Sequence, residues 1–190
     1  MKRTMIALGC CLLMATPVLA QSVGEKTGVN SVLGVAPTTA DFVRQAAISD
    51  MFEIQSSKLA EQKGDTATKA FAKEMVADHT KTSTELKSLI SAGKVKAELP
   101  TQLDDAHRSK LDKLTSASGA DFNETYVEQQ ISAHKDAVSL FDRYARGGES
   151  AELKTWAGKT LPALKHHLDM AQTLDKQRSN TTSQSTKPGK

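Results

Sequence analysis

Apolar positions along the chain recur at intervals of three and four residues from about residue 41 to residue 176, which predicts amphipathic helices and no strands. Stop and start signals divide this stretch cleanly. Thr38-Thr39-Ala40-Asp41 resembles a capping box, so a first helix runs from about Asp41 to Lys63, with Gly64 as its left-handed stop. Asp65 caps a second helix to about Ile90, ended by Gly93. After Leu99-Pro100-Thr101 a shorter helix covers Gln102 to Ser116, closed by Gly119. A long helix from Asp121 to Arg146 stops at Gly147-Gly148, and Ser150 caps a last one to about Lys176. Pro162 falls inside that last helix, where its ring meets the carbonyl of Gly158, so a kink or a break is expected there.

Four of these helices are long and matched in length, which predicts an all-α four-helix bundle. The short extra helix lies in the connection between long helices 2 and 3. A connection of that length suits the single crossover of a ferritin-like bundle better than a plain up-down-up-down one.

The flanks read differently. Lys2 and Arg3 precede an apolar run from Met5 to Met14, and Val18-Leu19-Ala20 offers a cleavage site, so residues 1–20 are expected to be a secretory signal peptide. Cys10 after Ala7-Leu8-Gly9 also offers a lipoprotein site, but the apolar stretch before it, about five residues, is short for that purpose. Residues 21–38 have no periodicity and read as a flexible leader. Residues 39–177 form the bundle domain, and residues 178–190 read as a disordered polar tail. A periplasmic or secreted location follows, with envelope association open. No segment after cleavage is long and apolar enough to span a membrane.

Composition then removes several functions. The chain carries 25 Lys plus Arg against 22 Asp plus Glu, no basic footprint for nucleic acid. Both cysteines, Cys10 and Cys11, fall in the segment expected to be cleaved, which excludes thiol chemistry and disulfides from the remainder. There is no phosphate-binding glycine loop and no nucleophile motif, so no enzymatic activity is assigned.

The candidate chemistry is histidine. The inward stripe of the second helix reads Ala72, Met75, His79, Thr82, Leu86; that of the third long helix Tyr126, Gln130, His134, Ala137, Phe141; that of the last Leu153, Trp156, Thr160, Leu164, His167, Ala171. Glu53 shares a line with Phe42, Ala46, Ser49, Ser56 and Ala60 on the first helix, although the greasier line Val43, Ala47, Met51, Ile54 competes for the core. All four residues lie near mid-helix and so meet at one level of the bundle. Glu53, His79, His134 and His167 are therefore candidate ligands for one transition-metal ion (zinc, copper, iron or nickel). The competing reading is a buried hydrogen-bond layer that fixes helix register, in a non-enzymatic structural or interaction module. A two-iron carboxylate centre is not expected, because Val76, Ile131 and Leu164 stand where a Glu-x-x-His pair needs glutamate. Glu74 lies nearly opposite His79 on its helix and Asp78 about 100° from it, so neither is counted as a ligand. His166 is expected to be solvated, His107 exposed on the connector, and Met51, Met75 and Met170 to fill the core. Tyr126 and Trp156 are expected to anchor the bundle ends.

Phe42-Val43, Glu53-Ile54, Lys58-Leu59-Ala60, Ala70-Phe71-Ala72 and Met75-Val76-Ala77-Asp78-His79-Thr80 resemble a bacterial exported family of unknown function. Tyr126-Val127, Gln130, His134, Phe141, Leu161-Pro162 and His167-Leu168 extend the resemblance over residues 41–174. Phe122-Asn123 departs from the Phe-Asp that the family usually shows. The family's members are often labelled outer-membrane or exported proteins, and the resemblance implies a ferritin-like fold and an envelope location. It implies no settled activity and no known protein partner.

Overall fold

Helix caps set the element boundaries. In the computed structural model, which describes Ser22 and residues 29–185, the elements are α1 (Val29–Val32), α2 (Thr39–Lys63), α3 (Thr66–Ser91), α4 (Asp105–Ser116), α5 (Gly119–Gly147) and α6 (Ala151–Ser185). No strand occurs among the described residues. Thr38 Oγ1 accepts from the Asp41 N–H at 3.2 Å, and Asp41 in turn accepts from the Thr38 hydroxyl and the Ser22 N–H. Asp65 and Asp104 cap α3 and α4 by accepting from the N–H groups of Thr68 and His107.

Gly64 ends α2 in an extended conformation, φ −67°, instead of the expected left-handed one. Its glycine is required by proximity instead. A Cβ there would stand 2.7 Å from the Ala60 carbonyl and 2.8 Å from the Thr68 methyl. α6 runs unbroken through Pro162 and on to Ser185, so residues 178–185, expected in a disordered tail, are helical. No glycine or proline stands between Pro162 and Pro188 to stop it. The stretch expected to be a flexible leader holds the single turn α1, and Arg143 Nη1 donates to the Val35 carbonyl at 2.6 Å. The expected signal peptide lies outside the described residues.

Polar contacts at the helix ends establish the topology. Lys63 Nζ donates to the Thr115 and Ala117 carbonyls, and the Asp65 N–H donates to Asn123 Oδ1, so α5 starts beside the α2–α3 turn. Thr39 and Tyr144 share a hydrogen bond at 2.8 Å, which puts the end of α5 beside the start of α2. Trp156 Nε1 donates to Glu85 and Arg178 pairs with Asp65, so α6 is antiparallel to α3. The helices thus run up, down, down, up for α2, α3, α5 and α6. The connection from α3 to α5 travels the length of the bundle, with α4 laid against α2. This is the one-crossover order of ferritin-like bundles.

The interior is divided. At one end Phe42, Leu86, Phe141, Tyr144, Leu153 and Trp156 form an apolar lobe in which Phe42 stacks on Tyr144 at 4.0 Å. At the other end Phe71, Met75, Phe122, Tyr126 and Ala171 form a second lobe. A smaller cluster of Ile48, Phe52 and Leu103 seals the crossover. Each large side chain contributes about 1.5–3 kcal/mol of burial. Between the two lobes the chain places polar groups.

Candidate metal centre

That polar layer is built from one residue per helix. Glu53 of α2, His79 of α3, His134 of α5 and His167 of α6 are all at least 98 % buried. The three imidazoles form a near-equilateral triangle with ring centroids 5.6, 5.4 and 5.4 Å apart. One ligand nitrogen from each lies within 4.8 Å of the other two. Three nitrogens on one tetrahedral ion at about 2.0–2.1 Å sit about 3.4 Å apart, so a small inward adjustment closes the set.

Hydrogen bonds fix which nitrogen each ring offers. His134 Nδ1 lies 2.9 Å from the Gln130 carbonyl, which can only accept, so the proton sits on Nδ1. His79 Nδ1 lies 2.7 Å from Asp50 Oδ1, and the other Asp50 oxygen accepts from Thr82 and Ser83 hydroxyls at 2.8 and 3.1 Å. His167 Nε2 lies 3.0 Å from Asp78 Oδ2. The opposite nitrogens, Nε2 of His79, Nε2 of His134 and Nδ1 of His167, are buried and have no hydrogen-bond partner. A ligand-forming imidazole characteristically donates its other N–H to a carboxylate or backbone carbonyl, and all three rings do so here.

Glu53 stands beside this triangle without being one of the three groups within 4.8 Å. Neither of its carboxyl oxygens has a hydrogen-bond partner. Burial raises its pKa to about 7, against the opposing pull of His79 and the nearby Gln130 amide. The Gln130 amide itself donates to Ser56 at 3.3 Å. Burial, reinforced by a charge on His79, lowers His134 to about 3, and the same two influences lower His167. Burial also works against charge on His79, but the hydrogen bond and charge of Asp50, with Glu53 and Asp78 behind them, outweigh it and raise its pKa. The layer therefore offers neutral acceptors from His134 and His167 beside the buried Glu53 carboxyl group, with His79 the one ring of the three whose charged form is favoured.

The other sequence expectations divide. Met75, Tyr126 and Trp156 are buried in the two lobes, with Tyr126 bonded to Ser57 and Trp156 to Glu85. On α2 Phe42, Ala46, Glu53, Ser56 and Ala60 are buried and Ser49 is partly so, while on the competing line Val43 and Ala47 are buried and Met51 and Ile54 only partly so, and both lines thus reach the core. His166 is exposed as expected. His107 is half-buried rather than exposed, because its Nδ1 bonds Asp104 and its ring edge meets Phe52. The structure adds Asp50, Asp78 and Glu74, which the sequence pattern does not bring to the site. Asp78 and Glu74 do point away from the bundle axis, but toward α6, where with His167 they form a second group of ligand atoms within 4.8 Å. Asp50 lies one helical turn before Glu53, but on a line between the two that the hydrophobic pattern distinguishes, so that pattern does not single it out.

Fold and site together define an all-α bundle protein with a buried three-histidine cluster. A family of domains of unknown function, DUF4142, matches residues 24–174, and the chain belongs to it. No curated protein matches the chain, and no solved structure matches it.

Proposed function

We propose that this chain is an exported helical-bundle protein that binds one transition-metal ion, ligated by His79, His134 and His167 with Glu53 as the fourth ligand, and serves metal handling or stress protection in the cell envelope. The observation that carries the reading is the set of three buried nitrogens without partners on rings whose opposite nitrogens are all committed. A purely structural hydrogen-bond layer would leave each of those nitrogens unsatisfied, at a cost of about 1–3 kcal/mol. One divalent ion satisfies all of them and neutralises Glu53. Imidazole donors with one carboxylate suit zinc, copper, iron or nickel rather than magnesium or calcium. Export rests on Lys2, Arg3 and the apolar run that follows them.

Metal analysis of the purified chain after incubation with each ion and gel filtration tests this. The expected result is about one equivalent of ion in the parent chain, and less than about 0.1 in His79→Ala and His134→Ala. A parent chain that retains less than about 0.1 equivalent of every ion overturns the reading and leaves the register-fixing layer.

A further inference from the structure

The α3–α6 seam carries a second set of ligands that joins the buried centre through one shared ring. Asp78 Oδ2 holds His167 Nε2 at 3.0 Å, and Glu74, one turn before Asp78, completes a group whose ligand atoms lie within 4.8 Å. His166 Nε2 lies 3.5 Å from Glu74 Oε1. Unlike the buried centre, these groups reach solvent: the Glu74, Asp78 and His166 side chains are 42, 43 and 63 % exposed, while His167 is 2 %. Glu74, His166 and Asp169 line an open groove between the two helices. His167 does not itself line the groove, but it stands between the half-exposed Asp78, at its Nε2, and the interior, at its Nδ1.

We propose that Glu74, Asp78 and His166 form a surface collecting site for the divalent cation, and that His167 relays the ion between this site and the buried three-histidine centre. The inference rests on the metal reading given above. Its logic is the tautomer of one ring. An ion in the outer group takes the lone pair of His167 Nε2, which puts the ring proton on Nδ1 and removes that nitrogen from the inner set. An ion in the inner centre takes the lone pair of Nδ1, which puts the proton back on Nε2, where Asp78 accepts it. A neutral imidazole cannot serve both, so the two sites alternate and the chain holds one ion at a time. Asp78 has two duties in turn, ligand in the outer group and hydrogen-bond acceptor once the ion is inside. The carboxylates at the groove also raise the local cation concentration, an effect worth about 10- to 1,000-fold in on-rate when charges are focused in a cleft.

Rapid mixing with Co(II), followed through its ligand-field absorption, separates rate from affinity. The double variant Glu74→Gln/His166→Gln changes two exposed side chains and leaves the inner ligands and Asp78 in place. The expected result is the same final occupancy of about one Co(II) as the parent, with loading and chelator-driven unloading both slower by about tenfold. Glu124→Gln, which removes a carboxylate elsewhere on the surface, loads at the parent rate. Unchanged rates in the double variant overturn the relay, as does lost occupancy, which makes these residues part of the equilibrium site. Two Co(II) ions held together by one parent chain also overturn it. A parent chain that takes up no Co(II) is a different failure, because it removes the buried centre itself and the relay with it.

Discussion

Asp50 shows what one residue outside the ligand set does. Its Oδ1 holds His79 Nδ1 at 2.7 Å while Thr82 and Ser83 occupy the other oxygen. The carboxylate is held from two sides, so the ring it orients has one tautomer and one direction. Asp50→Asn keeps the size but turns an acceptor pair into a mixed donor and acceptor, so the His79 N–H loses its fixed partner. Loss of such an outer partner costs about 10- to 100-fold in metal affinity. Competition with a chelator of known affinity is expected to show that loss in Asp50→Asn, with the helical circular dichroism unchanged; an unaltered affinity removes Asp50 from the site. The inward histidines were legible as sequence because each lies on an apolar stripe, where a polar ring stands out. Asp50 was not, since its line on α2 runs between the two that the hydrophobic pattern distinguishes. Asp78 and Glu74 were harder still. They matter through the rotation of α3 against α6, and no single-helix pattern encodes the angle at which a second helix lies.

At the scale of elements, the turns hold the matched helices in register, and Asp65 is the busiest of these positions. Its side chain caps α3 at Thr68, its other oxygen pairs with Arg178 of α6 at 2.6 Å, and its N–H donates to Asn123 of α5. Partial burial works against the charged carboxylate, but the cap and the arginine outweigh it and hold the group below its ordinary value of 3.8. A carboxylate whose pKa is depressed by folding adds stability above its unfolded value, and that stability disappears as pH falls through the folded value. Asp65→Ala is therefore expected to cost about 1 kcal/mol near neutral pH. In urea unfolding the gap between parent and variant is expected to close as pH drops below about 4. A gap that stays constant down to pH about 2 places the effect in something other than the charge. The cap itself was readable from Gly64-Asp65. The Arg178 partner was not, because the polar end of α6 gave no apolar stripe from which to extend the helix that far.

Across the whole molecule, the polar layer interrupts the core in a way that packing alone does not favour. Two apolar lobes lie on either side of it, and the groups between them come from all four long helices. The one-crossover order was foreseeable from the long connection after Gly93, since a chain that only turned a corner would not need it. The consequence of that order was not, namely that α3, α5 and α6 each bring one ring to a single point. An ion bound there is a cross-link between three helices, present in the folded chain and absent from the unfolded one. Such binding stabilises by RT ln(1 + [L]/Kd), about 2.7 kcal/mol at a hundredfold excess over Kd. For a domain of this size that is about 5 to 10 °C in Tm. Scanning calorimetry is therefore expected to show a Tm that climbs with free zinc and returns with chelator. His134→Leu keeps a side chain of similar bulk in the layer but deletes one of the three nitrogens, so its Tm is expected to stay flat across the same zinc series. A parent chain whose Tm ignores zinc, copper, iron and nickel alike would mean that the three rings hold the helices in place by hydrogen bonds alone, and that the bundle tolerates three buried, unpaired nitrogens for the sake of register.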